Sequence, residues 1–153
     1  MTRKIFFSFK YDDIWRVNQI RNIGMFEATN KFVDHADFEQ IKRQSDVAIK
    51  TWINQQLEGA SVTCVLIGKN TYKSRWVDYE IRKSLEERKG VFGIYIHNIK
   101  DKDGNFTFQG INPLSPYPSI DSHNPINSYL PAFKVIERDI QHWIEMAATK
   151  AGR

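Results

Sequence analysis

Only one cysteine, Cys64, occurs in the 153 residues, so no internal disulfide can form. It sits in the apolar run Val62-Thr-Cys-Val-Leu-Ile67, with no CxxC or Cys/His spacing around it that would make a structural zinc site. Long hydrophobic runs are missing as well. No stretch approaches the roughly 18 apolar residues of a membrane helix, and the opening MTRKIFFSF is too short to be a secretory signal. The expectation is a cytoplasmic protein with no membrane association. Nor does one sign of charge dominate, since 22 Lys+Arg stand against 18 Asp+Glu for a net +4. The basic residues run from Arg3 to Arg153 and usually sit beside acids, as in Glu86-Glu87-Arg88-Lys89. This is the pattern of a solvated mixed-charge surface, which disfavours nucleic acid as a partner.

The signatures of several common chemistries are also absent. There is no GxGxxG, GxxxxGK[ST], HExxH or GxSxG, which removes the usual marks of dinucleotide folds, nucleoside triphosphatases, zincins and serine hydrolases. Asp101-Lys-Asp103-Gly104-Asn105 begins like a calcium loop, but its glycine comes early and no glutamate closes it, so it reads as a turn that can open a hairpin. His35, His97, His123 and His142 have no metal-ligand spacing to one another or to Cys64, and read as surface or loop residues. No metal is expected.

What the chain does have is burial capacity: ten Phe, six Tyr and four Trp are far more than a disordered segment carries. The length fits one domain over 1–153. Ile5-Phe-Phe-Ser-Phe9, Val62–Ile67 and Val91–Ile96 are nearly continuous apolar runs, as expected of strands covered on both faces of a parallel sheet. Helical spacing falls between them. Ser45 precedes a segment with Ile49, Trp52, Ile53 and Leu57 on one face and Gly59 as its stop, and a second helix from Trp76 to Arg88 carries Val77, Ile81 and Leu85 and ends at Gly90. Ile14, Val17 and Ile20 allow a first helix, and Lys31-Phe-Val33 a short second strand. This alternation predicts an α/β, doubly wound parallel sheet flanked by helices. All five prolines fall between Pro113 and Pro131, within a Pro-rich excursion at about 98–131, and a last helix is expected at about 132–148.

The loop Gly68–Lys73 and the helix start Ser74-Arg-Trp-Val-Asp-Tyr-Glu80 follow a buried strand, where doubly wound sheets bind ligands. Glu80 lies four residues after Trp76, on the border between the apolar face and solvent. Spacing alone leaves two readings open. One is a half-buried carboxylate beside an aromatic wall; the other is an exposed glutamate paired with Lys83 or Ser84.

Ile5-Phe-Phe-Ser-Phe-Lys-Tyr-Asp-Asp13 resembles the first box of Toll/interleukin-1 receptor (TIR) domains, and Ser61–Ile81 is similar to the strand, loop and Ser-x-Trp-x-x-x-Glu helix that carries the TIR catalytic glutamate. The likeness extends over residues 4 to about 97 and is strongest to the bacterial TIR-like group of Thoeris anti-phage defence. It implies a flavodoxin-like fold, NAD⁺ as substrate and cleavage of the nicotinamide–ribose bond. In that reading Glu80 is the catalytic residue, and Ser8, Phe9, Lys10, Asp46 and Trp76 bind the substrate. It further implies an ADP-ribose-derived signal, cyclic in form, sensed by a separate effector protein, with a phage component as trigger and with self-association. The excursion at 98–131 is positioned to shield the site. The alternative is a non-enzymatic TIR-like module that binds a nucleotide or a protein through the same edge. A phosphoacceptor receiver on this fold would want an Asp where the third strand ends Leu66-Ile67-Gly68.

Overall fold

The computed structural model describes residues 2–30 and 40–153. Five strands form one parallel sheet: β1 (Lys4–Ser8), β2 (Glu27–Ala28), β3 (Val62–Ile67), β4 (Gly90–Tyr95) and β5 (Ser122–His123), in spatial order β2-β1-β3-β4-β5. The helices between and after them are α1 (Ile14–Arg21), α2 (Asp46–Leu57), α3 (Arg75–Glu86) and α4 (Ala132–Lys150). This is the expected flavodoxin-like architecture.

Alternation along each strand decides which helices it meets. Ile5, Phe7, Cys64, Leu66, Phe92 and Ile94 pack with Val17 and Ile20 of α1 and with Ile136, Ile140 and Ile144 of α4. On the opposite face Phe6 meets Ile49, Ile53 and Leu57 of α2, while Val65 and Ile67 meet Val77 and Ile81 of α3. Ser8, two residues after Phe6, therefore shares the α2/α3 face. The chain leaves β1 toward β2 and returns past it to β3, so the order reverses between β1 and β3, and in open α/β sheets ligands bind beyond the carboxyl ends of such a pair.

Local chemistry explains the helix starts. The Ser45 hydroxyl accepts from the Ala48 N–H and the Ser74 hydroxyl from the Val77 N–H, each at 3.2 Å. The stop of α3 differs from expectation: the helix ends at Glu86, and Arg88 takes the left-handed turn with φ 57°. Gly90 instead opens β4, where a Cβ would come within 2.7 Å of the Ala147 carbonyl of α4. Its lack of a side chain serves close packing rather than helix termination.

The second strand lies at Glu27–Ala28; the expected strand at 31–33 falls outside the described residues, as does His35. No strands flank Asp101–Asn105, so this is a tight turn and not a hairpin, with the Asp101 carboxylate accepting the Asp103 and Asn105 N–H groups. His97 is buried, contrary to expectation, and desolvation lowers its pKa. His123 lies on β5 and stacks on Trp143 of α4 at 4.4 Å. Within residues 98–131, β5 forms the sheet edge beside β4, Gly110 lies against the Gly68 and Lys69 backbone, and Leu114 is buried against the α3 face. Buried Arg16 of α1 secures their start by donating to the Ile99 and Asn105 carbonyls. No described helix is long and apolar enough to cross a membrane.

Candidate active site

A cavity of about 410 Å³ opens beyond the carboxyl end of β1, between α2 and α3. Phe6 and Phe9, Ile49, Trp52 and Ile53 of α2 and Trp76 of α3 supply its apolar walls, and Glu80 reaches into it. Polar and charged side chains, among them Lys10, Asn30, Gln56 and Arg75, share the lining with these aromatic walls, which suits a ligand with flat aromatic parts and polar groups.

Glu80 is buried, with 9% of its surface exposed, so the exposed reading is set aside. Lys83 pairs with Glu87 instead. Ser8, at the end of β1 and fully buried, donates a 2.7 Å hydrogen bond to Oε1 of Glu80. Burial pushes the Glu80 carboxyl up to about 8, and the Ser8 bond opposes that rise. A carboxyl tuned near neutrality in a cleft is the kind of group that serves in acid, base or charge-stabilising chemistry.

The helix bearing Glu80 is held in place on two sides. The Ser84 hydroxyl bonds the Glu80 carbonyl at 2.7 Å and meets the Thr63 hydroxyl of β3 at 2.7 Å. The Tyr79 hydroxyl donates to Asn54 of α2, and the Tyr79 ring meets Trp76 edge to face at 6.2 Å. These contacts fix the aromatic wall relative to the carboxyl.

Of the residues singled out in the sequence, Phe9, Lys10, Trp76 and Glu80 line this one cavity. Ser8 reaches it through its bond to Glu80. Lys10 is bonded to Asp12 at 2.6 Å. Asp46 is exposed, does not line the cavity, and pairs with Arg75. No residue of 98–131 lines it either, so the described structure does not use the excursion as a shield.

Sequence reasoning missed Arg75, Trp52 and Asn30, all of which line the cavity. Arg75 stands beside Trp76 in the same motif and was within reach. Trp52 reads as part of an ordinary apolar helix face. Asn30 has no local signal, because its amide replaces a strand partner, accepting from the Phe7 N–H at 2.6 Å and donating to the Phe7 carbonyl at 2.7 Å. Among the described residues, no three of His, Cys, Asp and Glu converge as a metal site.

Residues 6–101 match the family described as Thoeris protein ThsB, TIR-like domain. The chain is also similar to a Bacillus cereus (strain MSX-D12) protein named "Putative cyclic ADP-D-ribose synthase ThsB1". The two are 43% identical over 119 residues, covering 74% of this chain and 62% of that protein. The chain thus spans less than two thirds of the length of this relative.

Proposed function

This chain belongs to the TIR-like domain family of the Thoeris protein ThsB, and from that premise we propose that it is an enzyme of anti-phage defence that cleaves the nicotinamide–ribose bond of NAD⁺ and forms a cyclic ADP-ribose product. One observation carries the reading: among the described residues, the buried carboxyl of Glu80 faces an aromatic-walled cavity at the point where the sheet reverses. The name of the Bacillus relative supports the product class.

The chemistry follows from charge. Breaking the bond between C1′ of the ribose and the pyridinium nitrogen sends the electron pair to nicotinamide, which leaves neutral, and positive charge develops on the ribose. A carboxylate held in a dry site stabilises that charge strongly. The cationic pyridinium favours ionisation of Glu80 before the bond breaks, and the Ser8 bond assists. Glu80 is the catalytic residue; Ser8 is a positioning residue that acts through it. Trp76 and Phe9 offer faces for the flat rings, and Lys10 lies where it can meet phosphate. An acceptor atom of the same molecule then attacks C1′ and yields the cyclic product, its proton passing to solvent or to Glu80.

In this reading the product acts on a separate effector protein, a phage component starts the reaction, and self-association assembles the active form. The test uses Glu80→Gln. The expected result is loss of nicotinamide release by about 10²–10³-fold or more in lysate of phage-infected cells, where wild type is triggered, with the purified variant keeping the wild-type far-ultraviolet spectrum. Equal release by wild type and variant overturns the assignment.

A further inference from the structure

Arg75 stands at the rim of the cavity, and two contacts hold its guanidinium there. It forms a two-pronged pair with Asp46, Nη1 to Oδ2 at 3.1 Å and Nη2 to Oδ1 at 2.8 Å. It also lies over the Trp76 ring, 4.6 Å from the centroid. Asp46 is in the first turn of α2, where the helix dipole favours an acid. The pair therefore ties the start of α2 to the start of α3 at the cavity mouth.

The pair is exposed on both sides, with 68% of the Arg75 and 57% of the Asp46 side chain open to solvent. An exposed ion pair is weak, because water and salt screen it. A phosphate presents the same forked pattern of oxygens as a carboxylate and carries its charge into the same guanidinium plane. The stacking on Trp76 is independent of Asp46, so the guanidinium stays aimed at the rim when the carboxylate lets go. Trp76 itself lines the cavity in which Glu80 sits.

We propose that Arg75 receives the diphosphate of a dinucleotide ligand, and that Asp46 is its internal placeholder, occupying the guanidinium until the phosphate displaces it. This rests on the nucleotide reading of the cavity and adds to it the residue that selects a phosphate-bearing ligand. Asp46 thus acts on ligand binding without contributing to the cavity wall.

The experiment is calorimetric titration of the whole chain with ADP-ribose, which carries the diphosphate and has no nicotinamide to lose. Arg75→Ala is expected to weaken binding by about tenfold or more, and Arg75→Lys to fall between it and wild type. Asp46→Asn is expected to tighten binding by up to about fivefold, and to change nothing when Arg75 is already alanine. Because both residues are exposed, the urea midpoints stay close to that of wild type. Unchanged affinity in Arg75→Ala overturns the inference, as does an Asp46→Asn effect of equal size in both backgrounds, or a wild type that does not bind ADP-ribose. If wild type releases nicotinamide while Arg75→Ala binds normally, the inference fails and the enzymatic reading stands. If the expected affinities appear and no condition gives nicotinamide release, the enzymatic reading fails and the anion site stands.

Discussion

The Ser8 hydroxyl donates a 2.7 Å hydrogen bond to Oε1 of Glu80 across 72 positions of sequence, joining the end of β1 to the middle of α3. Both groups are buried. The bond favours the ionised carboxyl while burial favours the neutral one, and burial is the stronger of the two. The balance between them makes the site sensitive to pH within the range a cell experiences.

The first prediction concerns activity. If the carboxylate of Glu80 is the working form, kcat/KM for NAD⁺ rises with pH and levels off above an apparent pKa of about 8. Initial rates of nicotinamide release between pH 6 and 9.5 check it. A profile that is flat or falls across that interval contradicts the assigned charge state.

Ser8→Ala removes the donor and leaves the volume nearly unchanged. The apparent pKa of the profile should move up by about one unit, since a hydrogen bond to a charged group is worth roughly that much. At neutral pH the rate should fall about tenfold, recovering in part at higher pH. A Ser8→Ala enzyme with reduced rate and an unmoved profile would assign Ser8 a packing role only.

Stability gives an independent reading of the same group. The folded Glu80 carboxyl titrates near 8 and the unfolded one near its ordinary 4.5. Below that lower value both states are neutral and the full contribution is present. As pH rises toward 8 the unfolded chain ionises and the folded one does not, so stability is lost by up to about 1.4 kcal/mol per pH unit, and the loss is complete above the folded value. Urea midpoints of wild type and Glu80→Gln at pH 5, 7 and 9 should therefore diverge, with the variant progressively more stable relative to wild type as pH rises. A constant difference would mean that Glu80 ionises as freely folded as unfolded.

Arg16 tests the attachment of the long excursion. Its Nε donates to the Ile99 carbonyl at 2.7 Å and Nη2 to the Asn105 carbonyl at 3.0 Å, while its contact to buried Asp13 is longer at 3.4 Å. Burial outweighs Arg16 at Asp13, whose pKa is raised. Arg16→Ala leaves those carbonyls and that carboxyl without their cation and should cost about 3 kcal/mol in urea unfolding. Faster amide exchange at Ile99 to Asn105 should accompany it. An Arg16→Ala protein as stable as wild type would show that the pairing of β5 with β4 and the apolar contacts hold the excursion without Arg16.

The strands and helices were legible because their causes are local. Continuous apolar runs at Ile5–Phe9, Val62–Ile67 and Val91–Ile96 require cover on both faces, and the Ser45 and Ser74 caps act on N–H groups three residues away. The two-residue β2 and β5 carry too little pattern to be seen, and their positions depend on a neighbouring edge. The expected stop at Gly90 shows the opposite hazard, a local signal whose real cause is the Ala147 backbone of a distant helix.

By itself the sequence determined an α/β sheet, the helices beside it and the motif that holds Glu80, since periodicity and capping need only neighbours within a turn or two. Whether Glu80 is buried, that Ser8 bonds it, that Asn30 stands in for a strand and that Arg75 faces Asp46 were decided only by tertiary structure. Desolvation and long-range pairing depend on which elements become neighbours, and the parallel register of β1 beside β3, with α2 and α3 packed over one face, sets those neighbours.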